Sequence, residues 1–334
     1  MTILFDALKN AKTVAIISHI GPDGDTLGSM MGLYSGLLQL EHLEKIDCFI
    51  NGTVPQIFEF LPHIKNVKTP QNKDIKHNYD VAIAVDCAAI DRLDDSLNIF
   101  NKAKYSINID HHGTNDGFGH CSIINPKASS VGEILTNLLP ELGITLNKEI
   151  ATSLYVSILT DTGCFKFENT SDTTFLACSK LIATGISAQE LYKKCYEHKP
   201  LNMIKLQAHA ITNATFENEK IAYSIVSRDI LNQFGGQESY TDGISEALRE
   251  ATSVEISMLL KETQNGETKI SMRSKNVDVA EISAFFGGGG HRLAAGCIIQ
   301  KKPSDALLEI LPIARKQLEK YEKEKLSQKN KELF

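Results

Sequence analysis

The feature that most constrains this chain is a repeated one. A short apolar run, long enough for one buried strand, ends abruptly on carboxylates and imidazoles. Thr13–Ser18 (TVAIIS) leads into His19 and, past a Gly-Pro turn, into Asp23 and Asp25. Val81–Val85 (VAIAV) stops at Asp86, and Tyr105–Ile109 (YSINI) stops at Asp110-His111-His112. Uninterrupted apolar strands are those buried on both faces, as in a parallel sheet covered by helices. The text between them predicts helices over Thr26–Leu40, near Val131–Leu139 and over Lys148–Leu159, with a further strand at Ile46–Ile50. The fold class expected is therefore α/β, with an N-terminal doubly wound parallel sheet. Such sheets bind ligands beyond the carboxyl ends of their strands, and the polar clusters fall there.

At 334 residues the chain is longer than one typical domain of about 100–200 residues. A second, smaller α/β domain with a mixed sheet is expected. Its strands are predicted near Ile221–Val226, Val254–Leu260, Thr268–Arg273 and Ala295–Gln300, and Gln264-Asn265-Gly266-Glu267 makes at least one pair a hairpin. The boundaries read 1–190 for the first domain, 191–205 for a connector, 206–320 for the second domain and 321–334 for a charged tail. The Lys and Glu of that tail suit a solvated helix with i,i+4 ion pairs, with nucleic-acid contact as the alternative.

The formal charge of −6 argues against a broad cationic surface for long duplex nucleic acid. Small anionic substrates stay open, because a bound divalent cation reverses the local field. The seven cysteines are odd in number and include no C-x-x-C pair, which fits free thiols in a reducing cytoplasm better than disulfides or a zinc–thiolate site. The N-terminal apolar run is too short for a signal peptide, and no stretch approaches the roughly 18 apolar residues of a membrane helix. A cytoplasmic protein without a membrane partner is expected.

Each cluster has a chemical reading and a plainer one. Asp23 and Asp25 would repel each other unless a positive charge lay between them, and an extended loop would point both the same way. Alternatively they form an Asp-rich turn in which Asp25 caps the helix. Asp86 faces the ligand crevice or merely ends a turn. His111 and His112 alternate in direction, so one can ligate a metal while the other meets substrate; a structural pair is the alternative. Asp161 closes an apolar helix at the end where the helix dipole disfavours a carboxylate, or is an ordinary turn residue. Gly287–Gly290, followed by His291 and Arg292, offers backbone amides to phosphate oxygens, with Arg273 as a possible side-chain contact. A flexible loop is the other account.

Taken in order, His19-x3-Asp23-x-Asp25, Asp86, Asp110-His111-His112 and Asp161 resemble the motif set of the DHH phosphoesterase superfamily. The later GGGGH-x-x-AAG pattern resembles its DHHA1 partner domain, and together the motifs span nearly the whole chain, Met1 to Lys320. The resemblance implies that His19, Asp23 and Asp86 hold one metal and that Asp25, Asp86, His111 and Asp161 hold another, with Asp86 bridging. His112 would contact the scissile phosphate, and Asp110 would fix a histidine tautomer, so His112, Asp86 and Asp110 form the expected catalytic group. Arg273, Gly288, Gly289, Gly290, His291 and His112 would bind substrate. Two divalent ions are implied, manganese ahead of magnesium, since the donors are oxygen and imidazole without thiolate. The implied reaction is hydrolysis of short single-stranded RNA and linear dinucleotides (pApA, pGpG) to 5′-mononucleotides, or dephosphorylation of 3′-phosphoadenosine 5′-phosphate (pAp). A homodimer is compatible with it. One alternative is an inorganic pyrophosphatase on the same motifs, against which the glycine run argues. Another is a non-catalytic nucleotide-binding module, against which the intact ligand set argues. Ser129-Ser130-Val-Gly-Glu133 also resembles a family segment but suggests no role.

Overall fold

The computed structural model describes residues 3–71 and 78–332, those after 327 by backbone only. The chain divides into two compact units, Met1–His198 and Lys199–Phe334.

The first unit runs α1 (Ile3–Leu8), β1 (Thr13–Ile20), α2 (Gly24–Leu37), β2 (Lys45–Asn51), β3 (Val67–Lys68), β4 (Val81–Val85), α3 (Leu97–Lys102), β5 (Tyr105–Asp110), β6 (Cys121–Ile124), α4 (Val131–Glu141), α5 (Lys148–Asp161), α6 (Asp172–Ile182) and α7 (Ala188–Tyr196). Its sheet has the order β3-β2-β1-β4-β5-β6 with every pair parallel. That is the doubly wound order, which reverses between β1 and β4 and leaves a crevice past their carboxyl ends. The register Ile17↔Ala84 means that His19 and Asp86, each two residues further on, leave the sheet side by side. Both faces are covered. Ile16, Ile83 and Ile107 pack under α2, α4 and α5 on one face, and Ala15, Ala82 and Ala84 pack with Phe49 and Phe100 on the other.

A four-residue glycine spacing in α2 decides how closely α5 approaches. A Cβ on Gly28 would stand 2.6 Å from the Ser153 carbonyl oxygen, and one on Gly32 would stand 2.3 Å from Leu154. The two helices therefore touch backbone to backbone, and this brings Ser157 and Asp161 of α5 up to the start of α2.

The second unit runs α8 (Leu201–Thr212), β7 (Thr215–Glu217), β8 (Ile221–Val226), α9 (Arg228–Gln233), α10 (Ile244–Arg249), β9 (Ile256–Glu262), β10 (Thr268–Ser274), α11 (Val279–Phe285), β11 (Gly289–His291), β12 (Ala294–Ile299) and α12 (Pro303–Glu332). Its sheet order is β11-β12-β10-β9-β8-β7, mixed because β8 and β9 are parallel and the remaining pairs antiparallel. The β9–β10 hairpin turns at Gly266, whose φ of +78° suits glycine. Residues 191–205 hold the end of α7 and the start of α8, and α12 continues through 321–332. All seven cysteines are free. Among the described residues no helix is long and apolar enough to cross a membrane.

Candidate metal centre

The loop after β1 turns at Gly21 (φ +67°), and α2 begins at Gly24. Asp23 is the N-cap, accepting from the Thr26 amide and hydroxyl at 3.1 Å each. Asp25 is already inside the first turn. The extended loop expected to aim both carboxylates one way is therefore absent, because the helix starts earlier than the apolar pattern indicated. Asp25 is not the cap either. The two acids diverge: Asp23 joins His19 and Asp86, while Asp25 joins His111 and Asp161. In each trio one donor atom per residue lies within 4.8 Å of the others.

Asp86 stands between the trios. Its backbone is left-handed (φ +55°), a strained conformation of the kind that clusters at functional sites. Its Oδ2 lies 3.5 Å from His19 Nε2, and its Oδ1 lies 3.8 Å from both His111 Nε2 and His112 Nδ1. His19 Nδ1 donates to the Ile20 carbonyl at 2.7 Å, which turns Nε2 toward the carboxylates. Burial opposes the charged imidazole, yet the Asp86 carboxylate and the Ile20 carbonyl together outweigh it and the His19 pKa lies above its ordinary value. His111 is oriented the same way: Nδ1 donates to the Ala128 carbonyl at 3.3 Å, and Nε2 sits 3.6 Å from Asp25 and 3.5 Å from Asp161. Fixing one ring nitrogen by a carbonyl while the other faces a cluster is the usual outer arrangement of a metal-ligating histidine.

A third group, Asp86, Asp110, His111 and His112, is equally tight. Here Asp110 is already satisfied, accepting from His112 Nδ1 at 2.8 Å and from Asn115 Nδ2 at 2.7 Å. Burial pushes the Asp110 carboxyl up, but these bonds prevail and hold it below the usual range. The Asp110 bond in turn raises His112, whose side chain is 41% exposed, leaving Nε2 available as a proton donor.

Among the described residues the carboxylates of both trios have no lysine or arginine to balance them. Asp25 is 1% exposed; burial first, then the nearby Asp86 and Asp161, push its carboxyl well above the usual range. Asp161 is pushed up to about 6, mainly by burial. The single Thr26 hydroxyl proton lies against Asp86 (2.6 Å), Asp23 (3.1 Å) and His19 Nε2 (2.7 Å), three acceptors for one proton. Among the described residues, none of these carboxylates pairs with a lysine or arginine. The adjacent Cys87 is held as a thiol, its pKa pushed up to about 12 by burial. Oxygen and imidazole donors with a deficit of positive charge fit hard divalent cations rather than a thiolate-ligated metal.

In the second unit, the glycine run is not an open loop of consecutive amides. Gly287 and Gly288 donate to Ala284 and Ser283 and close the end of α11, and Gly289–His291 pair with β12. A Cβ on Gly288 would stand 2.3 Å from the Gly296 carbonyl oxygen, so glycine is needed there for strand packing. Gly289, Gly290 and His291 are exposed. Arg273 already donates to Glu246 at 2.9 Å and to the Met272 carbonyl at 2.9 Å.

Residues 13–158 match the model of the DHH family, N-terminal domain, and residues 218–320 match that of the DHHA1 domain. The chain belongs to the DHH family. It is 28% identical to the bifunctional oligoribonuclease and PAP phosphatase NrnA of Thermus thermophilus, over 95% of this chain and 94% of the relative. The enzyme of the same description from Bacillus subtilis is 29% identical over 86% of this chain and 89% of its own length. An exopolyphosphatase-related protein from Bacteroides fragilis has the same fold, with a TM-score of 0.84 at 25% identity and 95% coverage of both chains. This DHH protein also carries residues that sequence reasoning missed. Thr26, Asn115 and Asn169 serve the site through hydrogen bonds that no linear motif displays. Arg92, on the 3-10 stretch Ile90–Ser96, brings Nη2 to 3.1 Å from His19 Nδ1. Nδ1 already donates to Ile20, so this contact does not tie down the exposed guanidinium, and among the described residues Arg92 is in none of the ion pairs.

Proposed function

We propose that this hydrolase of the DHH phosphoesterase family uses two divalent cations, manganese or magnesium, to cleave phosphoesters of short nucleotides. The observation that carries the reading is the pair of adjacent donor trios, one of them including Asp86, whose carboxylates pair with no lysine or arginine among the described residues. His19, Asp23 and Asp86 would hold one ion, and Asp25, Asp86, His111 and Asp161 the other. Bound there, the ions would polarise a phosphoryl group and bring the pKa of water toward neutrality.

The chain's own residues then have distinct tasks. His112, held through Nδ1 by Asp110, presents Nε2 to a phosphoryl oxygen or to the leaving ribose oxygen, to which it can pass a proton. Arg92 offers a guanidinium to a phosphate at the mouth of the site. In the second unit Arg273, Gly288, Gly289, Gly290 and His291 are proposed to bind the substrate's nucleotide end. Similarity to enzymes described as oligoribonucleases and PAP phosphatases supports short RNA, linear dinucleotides and pAp as substrates. The net charge of −6 supports short strands over long ones.

The test is hydrolysis by metal-stripped protein, with and without manganese, of pAp, pApA, pGpG, RNA of two to twenty nucleotides and pyrophosphate. Manganese-dependent turnover that falls with RNA length is expected. Full activity without metal, turnover of pyrophosphate alone, or efficiency rising to the longest RNA would overturn the proposal.

A further inference from the structure

Glu133 is a buried carboxylate outside both donor trios, 3% exposed, and it ends the segment whose family likeness suggested no role. Its Oε2 accepts from the Ser129 amide at 3.0 Å, the Ser129 hydroxyl at 2.7 Å and the Thr174 hydroxyl at 2.8 Å. Its Oε1 accepts from the Thr173 hydroxyl at 2.7 Å. All four donors are neutral. Burial disfavours the ionised form, but the bonds from Ser129, Thr173 and Thr174 outweigh it and hold the carboxyl below the usual range. A buried carboxylate so thoroughly bonded fixes what surrounds it, and here it fixes the segment 128–131 against the start of α6.

That segment reaches one donor trio only. The Ala128 carbonyl takes the Nδ1 proton of His111 at 3.3 Å. The Val131 amide donates to Asp25 Oδ2 at 2.9 Å. The next amide, Gly132, donates at 2.8 Å to the Ser157 hydroxyl, which itself donates to Asp25 Oδ1. The Ser129 carbonyl accepts from Asn169 Nδ2 at 3.0 Å, and the same amide group contacts the Asp161 backbone oxygen at 3.2 Å and Oδ2 at 3.4 Å. Asp25 and His111 are thus held directly from one short stretch, and Asp161 through Asn169, which that stretch anchors. His19 and Asp23 are held instead by the Ile20 carbonyl and by Thr26.

We propose that Glu133 is a positioning residue that sets the geometry of the Asp25–His111–Asp161 cation site selectively, by clamping residues 128–131. The proposal rests on the metal reading above. The selectivity separates it from a general structural role, which would loosen both sites together.

Glu133→Gln tests this, since it keeps the side-chain size but turns an amide group toward donors. Manganese binding to the metal-stripped full chain is followed by calorimetry and by electron paramagnetic resonance of the free ion, with a thermal melt alongside. One site should weaken by about 10–100-fold, the scale of lost outer-sphere partners, while the other keeps its affinity. Adding Asp23→Asn should leave only the weakened site. If Glu133→Gln does not fold, Ser129→Ala removes a single hydroxyl from the clamp and should weaken the same site by at least about threefold. Equal weakening of both sites, or none in a folded variant, overturns the role of Glu133. A wild-type chain that binds no divalent ion overturns the metal reading instead.

Discussion

At the amino-terminal side of the first sheet the buried and half-buried carboxylates have lysines; at the carboxyl-terminal side, among the described residues, they have none. Asp80 pairs with Lys104 at 2.7 Å and accepts from the Lys12 and Thr13 amides. Asp47 lies between Lys45 and Lys68 and takes the Tyr79 hydroxyl. Lys104 holds the Asp80 carboxyl far below the usual range. Burial pushes Asp47 up, but Lys68, Tyr79 and Lys45 prevail and lower it. Across the same sheet Asp25 and Asp161 are raised. One residue type thus does two jobs. Balanced by lysine it staples strands together; left unbalanced in a crevice it lowers the stability of the metal-free chain, which the proposed cations would restore.

The strongest test of this contrast exchanges one acid on each side. Asp86→Ala should lower kcat/KM on pAp by on the order of 10³-fold, because it removes the carboxylate that the two proposed ligand sets have in common. Asp80→Asn should leave kcat/KM within about twofold and instead lower unfolding stability by about 1–2 kcal/mol. A reversal of those effects would break the comparison. Next in size, His112→Gln should lower kcat by about 100-fold while manganese affinity stays unchanged, as calorimetry can verify. Arg92→Ala is smaller: loss of one charge-assisted contact should raise KM by about tenfold with little change in kcat. An unchanged KM would show that the guanidinium does not meet substrate.

The smallest effect is a difference in pH slope. Asp47 and Asp80 are depressed, so their contribution to stability is present above about pH 4 and lost as pH falls through the acid range. Asp161 at about 6 behaves oppositely. Between about pH 4 and 6 its folded form keeps a proton that the unfolded chain has released, so stability falls as pH rises through that window. His19 and His112, both raised, also contribute stability that is lost as pH rises. Metal-stripped protein should therefore melt lower at pH 7 than at pH 5, by a few degrees, and manganese should remove the decline. A melting temperature that climbs from pH 5 to 7 without metal would contradict the unbalanced crevice.

Much of the first sheet was legible because its strands are uninterrupted apolar runs and its chemistry begins where each run stops. His19, Asp86 and Asp110 are placed by strand register alone. Asp23 and Asp25 were harder, since their divergence depends on a helix that starts at Gly24, set by the Gly21 turn and not by hydrophobic spacing. Helix α6 was not foreseen; it buries few side chains and leaves Phe175 and Leu176 exposed. Arg92 sits in a 3-10 stretch with no periodic signal. The amides of Gly287 and Gly288 looked free in the sequence, but they close α11 in a local C-terminal cap around the left-handed Gly287 (φ +71°).

The most direct test of the central claim is an anomalous diffraction map from crystals of the chain grown with manganese. Two peaks are predicted, one ligated by His19, Asp23 and Asp86 and the other by Asp25, Asp86, His111 and Asp161, with Asp110 still bonded to His112. An empty crevice, or a single ion held by Asp110 and His112, would contradict the account.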